Sequence, residues 1–170
     1  MDTLKWWQQT AVYQIYPRSF QDTTGSGEGD IAGVTRHLDY LKKLGVGAIW
    51  LTPVYPSPMV DNGYDISDYT AIDGRYGTIE DMDTLIAEGK KWDIRVVMDL
   101  VYNHTSDQHA WFQESKRSRT NDKADWYIWR DAKEDGSAPT NWRSIFGGSA
   151  WTWCEERQQY YLHTFVVEQP

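Results

Sequence analysis

The sequence predicts an α/β fold built from parallel βαβ units, followed by a polar, tryptophan-rich insert. Short β-rich apolar runs alternate with amphipathic stretches in the order strand, helix, strand, helix, strand. Those runs are continuously apolar rather than alternating, which marks strands covered on both faces of a parallel sheet. Beyond His104 the pattern changes to polar and loop-like. With 170 residues, 40% hydrophobic and 25% charged, the chain has the composition of a folded domain with a real core.

The elements follow in order. Val12-Tyr13-Gln14-Ile15-Tyr16 reads as a strand closed by Pro17, and a Gly-rich loop runs from Asp22 to Gly29. Asp30 stands where an N-cap belongs. Ile31, Val34, Leu38, Leu41 and Leu44 then recur at helical spacing, and Gly45 supplies the stop. Ala48-Ile49-Trp50-Leu51 is a compact strand ended by Thr52-Pro53, and residues 53–77 read as loop. Thr78-Ile79-Glu80-Asp81 has the form of a capping box, opening a helix with Ile79, Met82, Leu85 and Ile86 on one face. Arg95 to Val101 is the third strand. From Thr105 to Pro170 the spacing predicts an irregular insert with one β-leaning piece, Gln159 to Phe165.

Composition excludes several functions. A net charge of -8 argues against a nucleic-acid partner, because phosphate contacts need clustered Lys and Arg. The basic stretch Lys116-Arg117-Ser118-Arg119 reads as a solvated face rather than a phosphate site. Cys154 is alone, so no internal disulfide forms, and a passive thiol is preferred to a nucleophile. No apolar run approaches the length of a membrane span, and the start, Met1 to Trp7, lacks signal-peptide features, so a cytoplasmic location without membrane partners is expected. Aromatic content is high, with 10 Trp, 11 Tyr and 4 Phe. Flat rings stack on sugar C–H faces but also fill cores, and composition does not separate the two.

In parallel α/β folds, ligands meet the C-terminal ends of strands. The first strand leads into the Asp22 to Asp30 loop, the second into a loop holding Asp61-Asn62-Gly63-Tyr64-Asp65, and the third into Asp99, Asn103 and His104. Polar residues therefore gather at one end of successive strands.

These residues resemble the α-amylase family of glycoside hydrolases. Asp99-Leu100-Val101-Tyr102-Asn103-His104 is similar to its third-strand signature and Gly45 to Pro53 to its second-strand signature. Gln14 to Phe20 and Asp61 to Asp65 resemble the oligoglucosidase branch. The resemblance covers essentially the whole chain. It implies a (β/α)₈ TIM barrel, of which residues 1–104 supply the first three βα units and residues 105–170 the inserted subdomain B. It implies retaining hydrolysis of an α-glucosidic bond, in which one carboxylate attacks the anomeric carbon and a second protonates the leaving oxygen. The family takes that pair from strands four and five, which no segment here matches, and Gln169-Pro170 resembles the start of its next motif. The chain alone is therefore expected to be inactive, to need the remainder of the barrel, and to be unstable through its unpaired sheet edges.

Supporting residues carry over by resemblance. His104 matches a histidine bonded to the sugar hydroxymethyl group, Asp99 a strand-end aspartate ordering the site, Asp61 an aspartate capping the non-reducing end, and Tyr64 the platform beneath it. Phe146, Phe165 and Gln169 match pocket-lining positions of subdomain B. His37, His109 and His163 are expected to be structural, as is Asn103. No cofactor is required. The Asp22 to Asp30 loop departs from the calcium loop of isomaltose-cleaving relatives at Thr24 and Ser26; a Gly-rich loop with Asp30 as helix cap is preferred, and a structural calcium or magnesium on Asp22 and Asp30 is the alternative. The same loop form, with Asn141 to Ser144 and Phe146 to Trp151, resembles the subgroup that splits trehalose 6-phosphate into glucose and glucose 6-phosphate. An oligo-1,6-glucosidase or sucrose-isomerising enzyme is the alternative, and a non-catalytic binding or assembly member is the alternative of another class.

Overall fold

The structure, a computed structural model, describes Leu4–Pro170; the reading of the start as free of a signal peptide draws partly on Met1, Asp2 and Thr3, which lie outside the described residues. The described residues form two compact units. One comprises the chain up to Pro56 with Thr70–Leu100, and the other comprises Ser57–Tyr69 with Val101–Pro170.

The first unit holds a three-stranded sheet of β1 (Ala11–Ile15), β2 (Val46–Leu51) and β3 (Arg95–Met98), all parallel with β2 central. Side chains alternate across it, as the period of two requires. Tyr13, Ile15, Ile49, Leu51, Val96 and Met98 join a core with Ile31, Val34, Leu38, Leu41, Met82 and Leu85 from the helices. On the opposite face, in register Gln14↔Trp50↔Val97, the edge strands leave Val12 and Val97 exposed. The third strand is shorter than the sequence predicts, because pairing with β2 stops at Leu51↔Met98.

The expected helix from Ile31 to Leu44 is two helices, α2 (Ile31–Arg36) and α3 (Leu38–Lys43), after a short α1 (Pro17–Phe20) at the residue expected only to end the first strand. The break is local chemistry. Thr35 Oγ1 donates back to the Ile31 carbonyl, and the His37 N–H bonds Val34, three residues back, rather than four. Such side-chain back-bonding bends helices. Gly45, at φ 87°, ends α3 in the left-handed conformation that glycine adopts without strain. Asp30 caps α2 by accepting from the Gly33 N–H at 2.6 Å.

Helix α4 (Ile79–Lys91) opens on the predicted capping box: Thr78 Oγ1 accepts from the Asp81 N–H, and Asp81 accepts from the Thr78 N–H. Its buried stripe is Met82, Leu85 and Gly89, whereas Ile79 and Ile86 are exposed. At 3.6 residues per turn these two isoleucines fall on the flank of that stripe.

The second unit is more regular than the sequence predicts. It contains α5 (Ala110–Ser115) and an antiparallel sheet of β4 (Trp129–Arg130), β5 (Trp151–Cys154) and β6 (Gln159–Leu162), ordered β4-β6-β5. Only β6 lies in the expected β-leaning piece. Phe112, Trp129 and Tyr161 form its core, with the Phe112 and Trp129 rings stacked at 5.5 Å. Trp129 Nε1 donates to Ser115 Oγ at 3.0 Å, so the indole is buried with its polar atom satisfied. Among the described residues, no helix is long and apolar enough to cross a membrane.

Candidate functional site

The loop that carries Asp61 and Tyr64 is held from below by a residue whose role the sequence did not reveal. Asp65 is fully buried, and its two oxygens accept from the Val60 and Asp61 N–H groups at 2.9 and 3.0 Å. The chain then reverses at Asn62-Gly63, both at positive φ, and the Tyr64 N–H bonds the Asp61 carbonyl at 2.9 Å. Asn-Gly suits such a turn, because both residues tolerate the left-handed region.

This turn aims the Tyr64 carbonyl at His104. Nε2 of His104 lies 3.0 Å from that carbonyl, which only accepts, so Nε2 carries the proton. Nδ1 is then the acceptor for the Asn103 side-chain amide at 3.1 Å. The imidazole is therefore neutral, in a defined tautomer, with Phe165 edge-on at 5.3 Å. Its backbone is also fixed, since the Tyr69 hydroxyl lies within hydrogen-bond distance of both the Val101 and His104 carbonyls. Tyr69 was not singled out in the sequence.

Gln169 completes the cluster. Fully buried, it donates from Nε2 to Asp61 Oδ2 at 2.9 Å, while its Oε1 accepts from the Val166 N–H. Asp61 Oδ1 accepts no hydrogen bond among the described residues and remains available to a hydroxyl. Phe146 packs on Phe165 at 6.0 Å and is otherwise exposed. The structure thus brings Asp61, the Tyr64 backbone, His104, Phe146, Phe165 and Gln169 into one chain of contacts within the second unit. Beside it lies a cleft of about 600 Å³, walled by Tyr69, Trp111, Trp126 and Tyr127 and lined also by Asn103, His104 and Gln169.

Asp99 belongs to the first unit. It follows β3 directly, its N–H bonds the Leu51 carbonyl, and its Oδ2 accepts from Trp50 Nε1 at 3.1 Å. The sheet thus fixes this carboxylate at the end of its strand.

The remaining histidines are held by hydrogen bonds. His37 Nδ1 meets the Gly33 carbonyl, His109 caps α5 by accepting from the Trp111 N–H, and His163 spans Thr152 and Phe165. Asp22 and Asp30 direct their oxygens inward. Asp22 accepts from the Thr24, Gly25 and Gly27 N–H groups, which hold its carboxyl down at about 2. Asp30 accepts from Thr23 and Gly33. Among the described residues, no three His, Cys, Asp or Glu side chains gather closely enough to hold a metal ion.

Burial lowers the pKa of His104, against an upward pull from the Tyr64 carbonyl and the Asp61 and Asp65 carboxylates. Burial lowers that of His109 as well. Above the ordinary value of 6.5 both residues are neutral in the folded and unfolded chain and add no pH dependence. Below it the unfolded chain takes up protons first, so stability falls until pH passes the lowered folded values. Denaturant midpoints between pH 7 and 5 should therefore decline, and His104→Gln should flatten part of that decline. Parallel profiles for the two proteins would remove His104 as the titrating group.

Comparison with known proteins identifies the family. The model of the family described as "Alpha amylase, catalytic domain" matches residues 14–170. Trehalose-6-phosphate hydrolase of Escherichia coli (strain K12) is 59% identical over 96% of this chain and 29% of its own length. Oligo-1,6-glucosidase of Heyndrickxia coagulans is 57% identical over 98% of this chain and 30% of its own. The crystal structure of Bacillus licheniformis trehalose-6-phosphate hydrolase superposes with a TM-score of 0.93 at 55% identity, over 96% of this chain and 30% of that one. The chain thus spans about 30% of the length of the relatives it matches. On the family match and these identities, the chain belongs to the α-amylase family, whose catalytic domain is a TIM barrel.

Proposed function

We propose that this chain forms the first three βα units and subdomain B of a retaining α-glucosidase, and that it supplies the part which grips the glucose to be transferred. The observation that carries this reading is the Asp61 carboxylate. It is anchored through Oδ2 by buried Gln169, and its Oδ1 is left to accept from a sugar hydroxyl. His104, Tyr64 and the phenylalanines belong to the same chain of contacts, and Asp99 is held at the end of β3 in the first unit. A carboxylate fixed by one oxygen and open at the other suits a hydroxyl-rich ligand, because charge-assisted hydrogen bonds are short and directional.

The substrate is trehalose 6-phosphate, on the Asp22 to Asp30 loop form and the 59% identity to an enzyme named for that reaction. Attack at the anomeric carbon and protonation of the leaving oxygen need two further carboxylates. No residue of this sequence matches them, so the 170-residue polypeptide by itself should show no turnover. A chimera tests the reading directly. Residues 1–170 joined to the corresponding remainder of the Escherichia coli relative should hydrolyse trehalose 6-phosphate in preference to isomaltose and sucrose. A folded chimera preferring isomaltose would favour the oligo-1,6-glucosidase reading, and a folded chimera inert to all three would remove the hydrolase reading.

A further inference from the structure

A second cleft, of about 400 Å³, lies within the same unit, and its charged lining is Arg119, Arg130, Arg157 and Asp125. Neither Asp61, His104 nor Gln169 lines it.

Arg157 is the informative residue. It stands in the turn joining β5 to β6, only 6% exposed, with its guanidinium carbon 4.5 Å from the centre of the Trp129 ring. Its Nε donates to Gln159 Oε1 at 2.8 Å, and its Nη1 donates to the Ser115 and Ser118 carbonyls. All three acceptors are neutral. Nη2 has no acceptor among the described residues. It is not sealed in protein either, because among the described residues no buried side-chain nitrogen or oxygen is left without a partner. Arg157 thus lines the cleft with its Nη2 N–H bonds not engaged by the described residues.

The surroundings do not cancel this charge. Arg119 pairs with Asp131 at 2.9 Å, and its charge adds to burial in weakening the hold of Arg157 on its proton, with Asp125 opposing. Arg130 donates Nη1 to the Trp129 carbonyl and has no ion pair among the described residues. In a chain of net charge -8, this is a local excess of positive charge around a partly desolvated cation. The cost of burying a charge is offset when a counter-charge is bound.

We infer that this cleft binds an oxyanion of the phosphate or phosphomonoester class, with Arg157 as the buried anchor and Arg119 and Arg130 at the rim. The remaining N–H bonds of Arg157 Nη2 and the exposed Arg130 guanidinium offer charge-assisted donors to such a group, and the volume lies within the range of small-molecule sites. The basic stretch in the sequence thus divides: Lys116 meets Glu156 at 3.5 Å, whereas Arg119 turns to the cleft.

The test is titration of inorganic phosphate, glucose 6-phosphate and glucose into the full polypeptide at constant ionic strength. Heat and the Arg157 Nε–H resonance are followed together. Phosphate and glucose 6-phosphate should bind saturably and shift that resonance, while glucose and added chloride should not. Arg130→Gln, at an exposed position, should fold normally and weaken phosphate binding about 10-fold. Arg157→Lys should abolish binding; if it unfolds instead, Arg130→Gln carries the test alone. Equal affinity of the Arg130→Gln protein and the unaltered one, an unmoved Arg157 resonance, or an equal response to chloride would overturn the proposal.

Discussion

Gly33→Ala should destabilise the first unit by roughly 1–3 kcal/mol, the range for overpacking a filled interior. Gly33 lies in the first turn of α2, and a Cβ there would overlap the carbonyl oxygen of Gln21 and crowd the Gln21 Cβ. The obstacle is backbone, and that backbone is itself tied down: the Gln21 carbonyl accepts the Asp30 N–H, and Asp30 in turn caps α2 through Gly33. A shift that makes room for the methyl group therefore strains the cap as well. Gly74→Ala is the matched control, with open space around its added Cβ and no positive φ, so its effect should be near zero. Chemical denaturation followed by near-ultraviolet circular dichroism compares the two. A loss below about 0.5 kcal/mol for Gly33→Ala would mean that α2 and Gln21 separate freely.

Asp61→Ala should lower kcat/KM of the active chimera for its α-glucoside roughly 100-fold, the scale of losing hydrogen bonds to a charged group. The change also takes the acceptor from buried Gln169, which by itself costs stability. Asp61→Asn separates the two effects. It keeps an acceptor for Gln169 but removes the charge presented to the sugar, so stability should return while most of the kinetic loss remains. If Asp61→Ala falls by less than about 5-fold, or Asp61→Asn restores full activity, the carboxylate does not grip the substrate.

Much of the first unit was legible because its signals are local and chemical. The Thr78 and Asp81 box, the Asp30 cap and the Gly45 stop each satisfy specific backbone groups, and each is found as predicted. The bend at His37 was not legible, because Ile31 and Val34 before it and Leu38 and Leu41 after it keep helical spacing while Thr35 and His37 redirect their own hydrogen bonds. In the second unit β4, β5 and β6 are two to four residues long, too short for a period of two to stand out. Their stability comes from contacts between residues distant in sequence, such as Phe112 with Trp129 and Tyr161. The candidate site divides the same way. Asp61, Tyr64, Asp99 and His104 stood out through the motifs around them, whereas Asp65 and Tyr69 act on backbone amides and carbonyls, which leave no mark in a side-chain pattern.

The hydrogen bond between Asp61 and Gln169 joins residues 108 positions apart. On a ribosome adding roughly 5–20 residues per second, Asp61 waits about 5–20 s for its partner to be made. The βαβ elements of the first unit, joined over shorter separations, have all been synthesised before that interval ends. The contact that anchors Asp61 in the proposed grip thus forms only after every strand of the first unit has been made, and a pause before Gln169 leaves that carboxylate without its buried partner.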